Sequence, residues 1–172
     1  MTATKDIVLE SILHEYELIK HLYEKLPEGQ MDFKPRENMR STLELLRYLS
    51  YIGPASVEFF LVGSDPTKTS EERFAVFRTY SSEFKEMKAE DFVKRLTEQR
   101  DRVHVMIKGF NEADLVKETL LPWGEKTTMI KALLNNTLKW LTAYRMQLFL
   151  YAKTTGADIS TSNNWRGEDR KP

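Results

Sequence analysis

The segment that most constrains the fold runs from Ala132 to Gly156, ALLNNTLKWLTAYRMQLFLYAKTTG. Leu134, Thr137, Leu141, Tyr144, Leu148 and Tyr151 recur at steps of three and four, which puts them on one face of a helix. Met146, Phe149 and Leu150 fall on the other side. A helix that is apolar nearly all round belongs at the centre of a domain or in an interface. Gly156 follows the last turn, where a glycine can take the left-handed conformation that closes a helix.

The remaining helices read as what this one packs against. The first is predicted over Thr4 to Leu26, capped by Thr4, with Asp6 opposing the dipole. Leu9, Ile12, Tyr16, Ile19, Tyr23 and Leu26 share one arc, and Glu10, His14, Glu17, His21 and Glu24 share the opposite one. Pro27 and Gly29 end it. Residues 27–40 form a loop, with Met31 and Phe33 turned towards the bundle end. The second helix starts near Ser41, which with Glu44 matches a capping box. Leu45, Tyr48, Leu49 and Ile52 are its inner face, and it passes through Gly53-Pro54, where a kink is expected. A short helix is expected over Glu71 to Tyr80, where Phe74, Phe77 and Tyr80 share a face. Another spans Ala89 to Lys108, with Phe92, Leu96, Gln99, Val103 and Met106 or Ile107 inward. Residues 110–127 read as a linker, Thr127 or Thr128 as the cap of the long final helix, and 157–172 as a polar, half-ordered tail held by Trp165. With no convincing strand pair, the pattern is all-α: a four-helix bundle over residues 1–156, followed by the tail. Long connections at 62–88 and 109–127 argue against a simple up-down-up-down order.

Composition narrows the function classes. In 172 residues, Lys plus Arg number 26 and Asp plus Glu number 26, so nothing favours nucleic acid or an anionic membrane as partner. The absence of cysteine removes disulfides, thiolate metal sites and cysteine nucleophiles, and fits a cytoplasmic protein. The N-terminus shows no signal-peptide pattern, and no window approaches the roughly 18 apolar residues of a membrane span.

Three phrases carry a family resemblance: LPEGQMDFKP (Leu26 to Pro35), STLELLRYL (Ser41 to Leu49), and LPWGEKTT leading into NTLKWLTAYRMQLFLYAKTTG (Leu121 to Gly156). In order and spacing they resemble the DinB/YfiT superfamily. The resemblance implies a DinB-like four-helix bundle with long crossover connections, often a homodimer. Metal-binding members carry one histidine on the second helix in a Leu-x-His-Leu context. Two more lie on the last helix, as His, three residues, then His-Arg-x-Gln-Leu. Here Leu46-Arg47-Tyr48-Leu49 places Tyr48 at the first position, and Trp140 and Tyr144-Arg145-Met146-Gln147-Leu148 place Trp140 and Tyr144 at the others. Indole has no lone pair to offer a metal, and a neutral phenol is a poor ligand. The expectation is therefore no metal, no cofactor and no metal-activated catalysis.

Two readings of Tyr48, Trp140 and Tyr144 remain open. They refill the vacated space as packing, or they line an aromatic pocket for a small molecule, with phenolic hydroxyls as polar handles. Arg145 is expected in a surface or subunit-contact ion pair, and Gln147 in a hydrogen bond to a neighbouring helix or loop. Arg145, Met146, Phe149 and Leu150 are the candidate homodimer interface; the alternative is that the long loops and the tail with Trp165 cover the apolar ones. Glu10, His14, Glu17 and His21 are read as a solvated charged face, and His104 is isolated. The leading function is a non-catalytic, metal-free protein that binds a small ligand or partner. The alternatives are a divergent thiol-transferase or hydrolase-like enzyme, and a structural or stress-associated interaction protein.

Overall fold

The structure, a computed structural model, describes residues 4–169. Helix α1 (Thr4–Glu24) contributes Leu9, Ile12, Tyr16 and Ile19 to the core, all buried as their spacing requires. Thr4 is itself the first helical residue; the position before it lies outside the described residues. Asp6 accepts a hydrogen bond from Lys108 Nζ at 2.7 Å, which holds its carboxyl below the usual range. Helix α2 (Thr42–Gly63) opens on the expected capping box: Glu44 N donates to Ser41 Oγ at 3.1 Å, and Ser41 N to Glu44 Oε2 at 2.6 Å. The preceding loop is pinned to the same turn, with Leu43 N donating to Met31 O and Thr42 N to Phe33 O.

Helix α3 (Ser70–Phe84) is longer than the expected 71–80 segment. A second capping box, Thr69 with Glu72, starts it one residue early, and Phe84 extends it inward. A 3-10 turn (Ala89–Asp91) leads into α4 (Phe92–Lys108), which buries Phe92, Leu96, Gln99, Val103 and Ile107. Of the two residues offered for its last inward position, Ile107 is the buried one.

The expected linker is structured. After α5 (Glu112–Val116), strands β1 (Glu118–Leu120) and β2 (Lys126–Thr128) pair antiparallel, with Thr119 opposite Thr127. Gly124, at a φ of 87°, closes the turn between them. A three-residue strand is too short for alternation to show in sequence. Thr119 Oγ1 donates to Phe60 O at 2.6 Å and ties the hairpin to α2. Gly63 allows this approach, since a Cβ there would meet Thr119 Oγ1 at 3.0 Å. Thr128 occupies the next cap position, but its side chain makes no capping bond.

The long C-terminal helix is not uniform. It consists of α6 (Met129–Ala132), wide π-helical turns (Leu133–Leu138) and α7 (Lys139–Thr154). Wider turns rotate the side chains after them, so a strict 3.6-residue pattern fails across the segment. Leu134, expected inside, is 38% exposed, while Leu133 is fully buried. Thr137 does face inward, and its hydroxyl lies 2.8 Å from Ser56 Oγ on α2. That contact lies beside Pro54, which offers no amide hydrogen to the helix; Ser56 Oγ also lies within hydrogen-bond distance of Gly53 O, at 2.7 Å. Gly156, at a φ of 102°, closes α7, and Ala157 N donates back to Ala152 O at 2.9 Å.

Helices α1 and α2 each pack on both α4 and α7, so consecutive helices lie across a diagonal of the four-helix bundle. The 25–41 loop therefore crosses one end, and α3 lies on the outer side of α2. Tyr16 on α1 reaches the bundle centre beside Gly53, where any Cβ would overlap its hydroxyl. That hydroxyl is fully buried without a partner. Burial, reinforced by Tyr80, raises its pKa well above the usual phenol value. Gly53→Ala is expected to lose about 1–3 kcal/mol in urea unfolding through this overlap. Tyr16→Phe is expected to be neutral or stabilising by about 1 kcal/mol, because it removes a buried unsatisfied group. Combined, the two should cost less than Gly53→Ala alone.

Candidate functional site

The structure brings Tyr48 and Tyr144 together. Their ring centroids are 4.5 Å apart, with planes at 57°. Arg40, from the loop before α2, covers the pair: its guanidinium carbon lies 4.3 Å from the Tyr48 centroid and 5.3 Å from that of Tyr144. Desolvation, followed by the neighbouring Tyr144, pushes the Tyr48 pKa well above that of a free phenol, so its hydroxyl stays neutral. Trp140 lies one turn before Tyr144 on α7. Its ring neighbours are Phe60 at 6.3 Å and Phe77 at 6.4 Å. The three aromatics thus form a tyrosine pair and, apart from it, a tryptophan set among phenylalanines.

Between them lies a groove of about 660 Å³. Tyr48, Tyr51, Ile52, Phe74, Phe77 and Trp140 form its walls, with Pro122 from the hairpin turn and Arg78 and Lys85 from α3 at its edge. Tyr144 does not line it; it supports Tyr48 from behind. Half the wall comes from α3, which sequence reasoning left out of the site. Phe74 and Phe77 are only half-buried on a helix whose Tyr80 and Phe84 are buried. Such a helix has apolar surface beyond what its packing uses.

A neutral phenol pair and an indole do not match the nitrogen and carboxylate donors that hold zinc or nickel. Among the described residues no group of three or more His, Cys, Asp or Glu is placed to hold a metal ion. The donor set at the three aromatic positions does not fit a metal.

Arg145 stands differently from expectation. It is fully buried within the chain, so it takes part in neither a surface nor a subunit-contact ion pair. Its Nε donates to Glu15 Oε2 at 2.6 Å. Its Nη1 donates to the Asn164 backbone carbonyl at 2.6 Å and to the Asn164 side-chain oxygen. The ring of Trp165 lies 4.9 Å from the guanidinium carbon. The residues after 157, expected as a half-ordered tail, thus include α8 (Thr161–Arg166), which packs on α1 and seals this charge. Glu15 was the missed partner. An acid between Ile12 and Ile19 on the apolar arc of α1 is the sequence sign of a buried pair. His21, read as part of a solvated face, is covered by α8 and lies 3.2 Å from Asn163 Nδ2; His14, Glu10 and Glu17 remain exposed.

Gln147 donates to Tyr151 Oη at 2.7 Å, and Tyr151 Oη donates to Arg40 O at 2.9 Å, so it reaches the 25–41 loop through that tyrosine. Met146 is half-buried and accepts a weak hydrogen bond from Asn164 of α8, and Phe149 is half-buried beneath Lys153. Leu150 is the most open of the candidate interface residues, at 53% exposure.

No family model matches the chain, and no curated protein matches it. Solved structures do. A candidate DinB-family member from Exiguobacterium sibiricum 255-15 superposes with a TM-score of 0.69 at 18% identity, over 95% of this chain and 99% of that one. A DinB-like protein from Bacillus subtilis gives a TM-score of 0.64 at 17% identity, over 89% and 94%. The fold class is therefore that of the DinB-like all-α bundles, as the three sequence phrases implied.

Burial of a paired charge predicts a specific stability pattern. Arg145→Met or Glu15→Gln alone should destabilise the protein by about 3–5 kcal/mol, because each strands the other partner in the core. Replacing both with apolar residues, as Glu15→Leu with Arg145→Met, should cost less than either single change in chemical denaturation.

Proposed function

We propose that this chain is a metal-free, non-catalytic member of the DinB-like group that binds a small apolar molecule in the groove between α2, α3 and α7. The observation that carries the reading is the groove itself. Tyr48, Tyr51, Phe74, Phe77 and Trp140 surround about 660 Å³ beside the positions where metal-binding relatives are expected to carry histidines. Ligand sites of this size are mostly apolar, with a few polar groups fixing orientation. No carboxylate lines the groove, and its polar groups are hydroxyls and cations. A homodimer in the cytoplasm remains part of the proposal. Leu150 and Phe149 would meet a second copy, and Leu150→Arg would then convert a dimer to a monomer in light scattering.

The test is a titration with phenylnaphthylamine, a neutral probe whose fluorescence rises in apolar surroundings, alongside elemental analysis of untagged protein. Saturable binding that is lost in Trp140→Ala and in Phe77→Ala, in variants that keep the native circular dichroism, supports the reading. One transition metal per chain, or probe binding indifferent to both substitutions, overturns it.

A further inference from the structure

The groove has a charged exit. Tyr48, Tyr51, Ser81 and Lys85 line both the apolar groove and an adjoining cleft of about 620 Å³. These shared residues form a waist between the two. The groove side is walled mainly by rings and aliphatic carbons, with Ser82 and Arg78 at its edge, and no carboxylate is among its lining residues. The cleft side carries Lys34, Arg40, Arg47 and Lys85 against Glu37 and Glu44.

The pairing of these charges decides what the waist attracts. Glu44 is spent on its own helix cap and on Lys34, at 3.3 Å, and those bonds hold its carboxyl below the ordinary range. Arg78 is paired with Glu71. Arg47 Nε donates to the Met87 carbonyl at 2.8 Å. Among the described residues, Lys85 and Arg40 have no carboxylate partner. Lys85 closes α3, and Arg40 lies flat over the two tyrosines. Two cations without an ion-pair partner among the described residues therefore stand at one end of an apolar chamber, and Glu37 is the cleft's remaining carboxylate. The neutral Tyr48 hydroxyl adds no negative charge there.

We infer that the ligand is a flat apolar molecule bearing one anionic group, its rings against Trp140, Phe77 and Phe74 and its carboxylate or sulfonate at the waist beside Lys85 and Arg40. This rests on the groove being a binding site, as proposed above. It adds the ligand's charge and its direction in the site. A cationic or neutral ligand of the same shape would leave Lys85 unanswered and gain nothing from the waist. The charged contact is solvent-facing, so it contributes modestly and weakens with salt.

Two probes of similar shape separate the claims: anilinonaphthalene sulfonate, which is anionic, and phenylnaphthylamine, which is neutral. The sulfonate should bind several-fold tighter at low salt, and the gap should narrow as salt is raised. Lys85→Gln should weaken the sulfonate about threefold to fivefold, the range of an exposed ion pair, and leave the neutral probe unchanged. Adding Arg40→Gln should bring the two probes close to equality. Equal affinity of both probes for the native chain, or a Lys85→Gln variant that binds the sulfonate as before, overturns the inference while the groove stands. If neither probe binds in a manner sensitive to Trp140→Ala, the binding reading itself falls.

Discussion

The buried pair of Arg145 with Glu15 fixes how the last helix sits in the bundle. A guanidinium with no solvent access must have its donors satisfied, and here α1 supplies the carboxylate while α8 supplies a carbonyl, an amide oxygen and a ring face. Those partners come from two directions, so the pair sets the rotation of α7 about its own axis. Once Arg145 points at Glu15, the neighbouring Tyr144 is turned towards Tyr48, and Trp140, a turn further back, faces Phe60 and Phe77. The site geometry is downstream of that one charge.

The π-helical turns at 133–138 make this rotation compatible with the rest of the helix. They let Leu133 and Thr137 face inward, Thr137 against α2, before the register changes into α7. Position 54, a proline that offers no helical amide, lies opposite on α2. The π-helical turns thus meet the proline-bearing stretch of α2, joined by the Ser56–Thr137 hydroxyl pair. The groove opens where α3 leans on α2 without covering the whole of its aromatic face.

Much of the fold was legible because it rests on long amphipathic patterns. The inward faces of α1, α2 and α4, the Ser41–Glu44 box and the Gly156 stop all follow from residue spacing and capping chemistry. What escaped were features without a period. A three-residue hairpin is set by one turn glycine and by docking on Phe60. A register change from π-helical turns leaves no mark that separates Leu133 from Leu134. Arg145 looked like a surface residue because its position falls off the centre of the inner face drawn through Leu141, Tyr144 and Leu148, and its true partner lies 130 positions away. Half of the candidate site was readable from the position of Tyr48 and Trp140. The half supplied by Phe74, Phe77 and Lys85 depends on how α3 is placed, which spacing within α3 does not fix.

The central claim is that the aromatic groove holds a ligand rather than serving as loose packing. A crystal structure of the protein soaked with anilinonaphthalene sulfonate tests it most directly. The account predicts density for the rings between Trp140, Phe77 and Tyr51, with the sulfonate towards Lys85. A groove closed by collapse of Trp140 onto Tyr48, or the probe bound elsewhere with the groove empty, would contradict it.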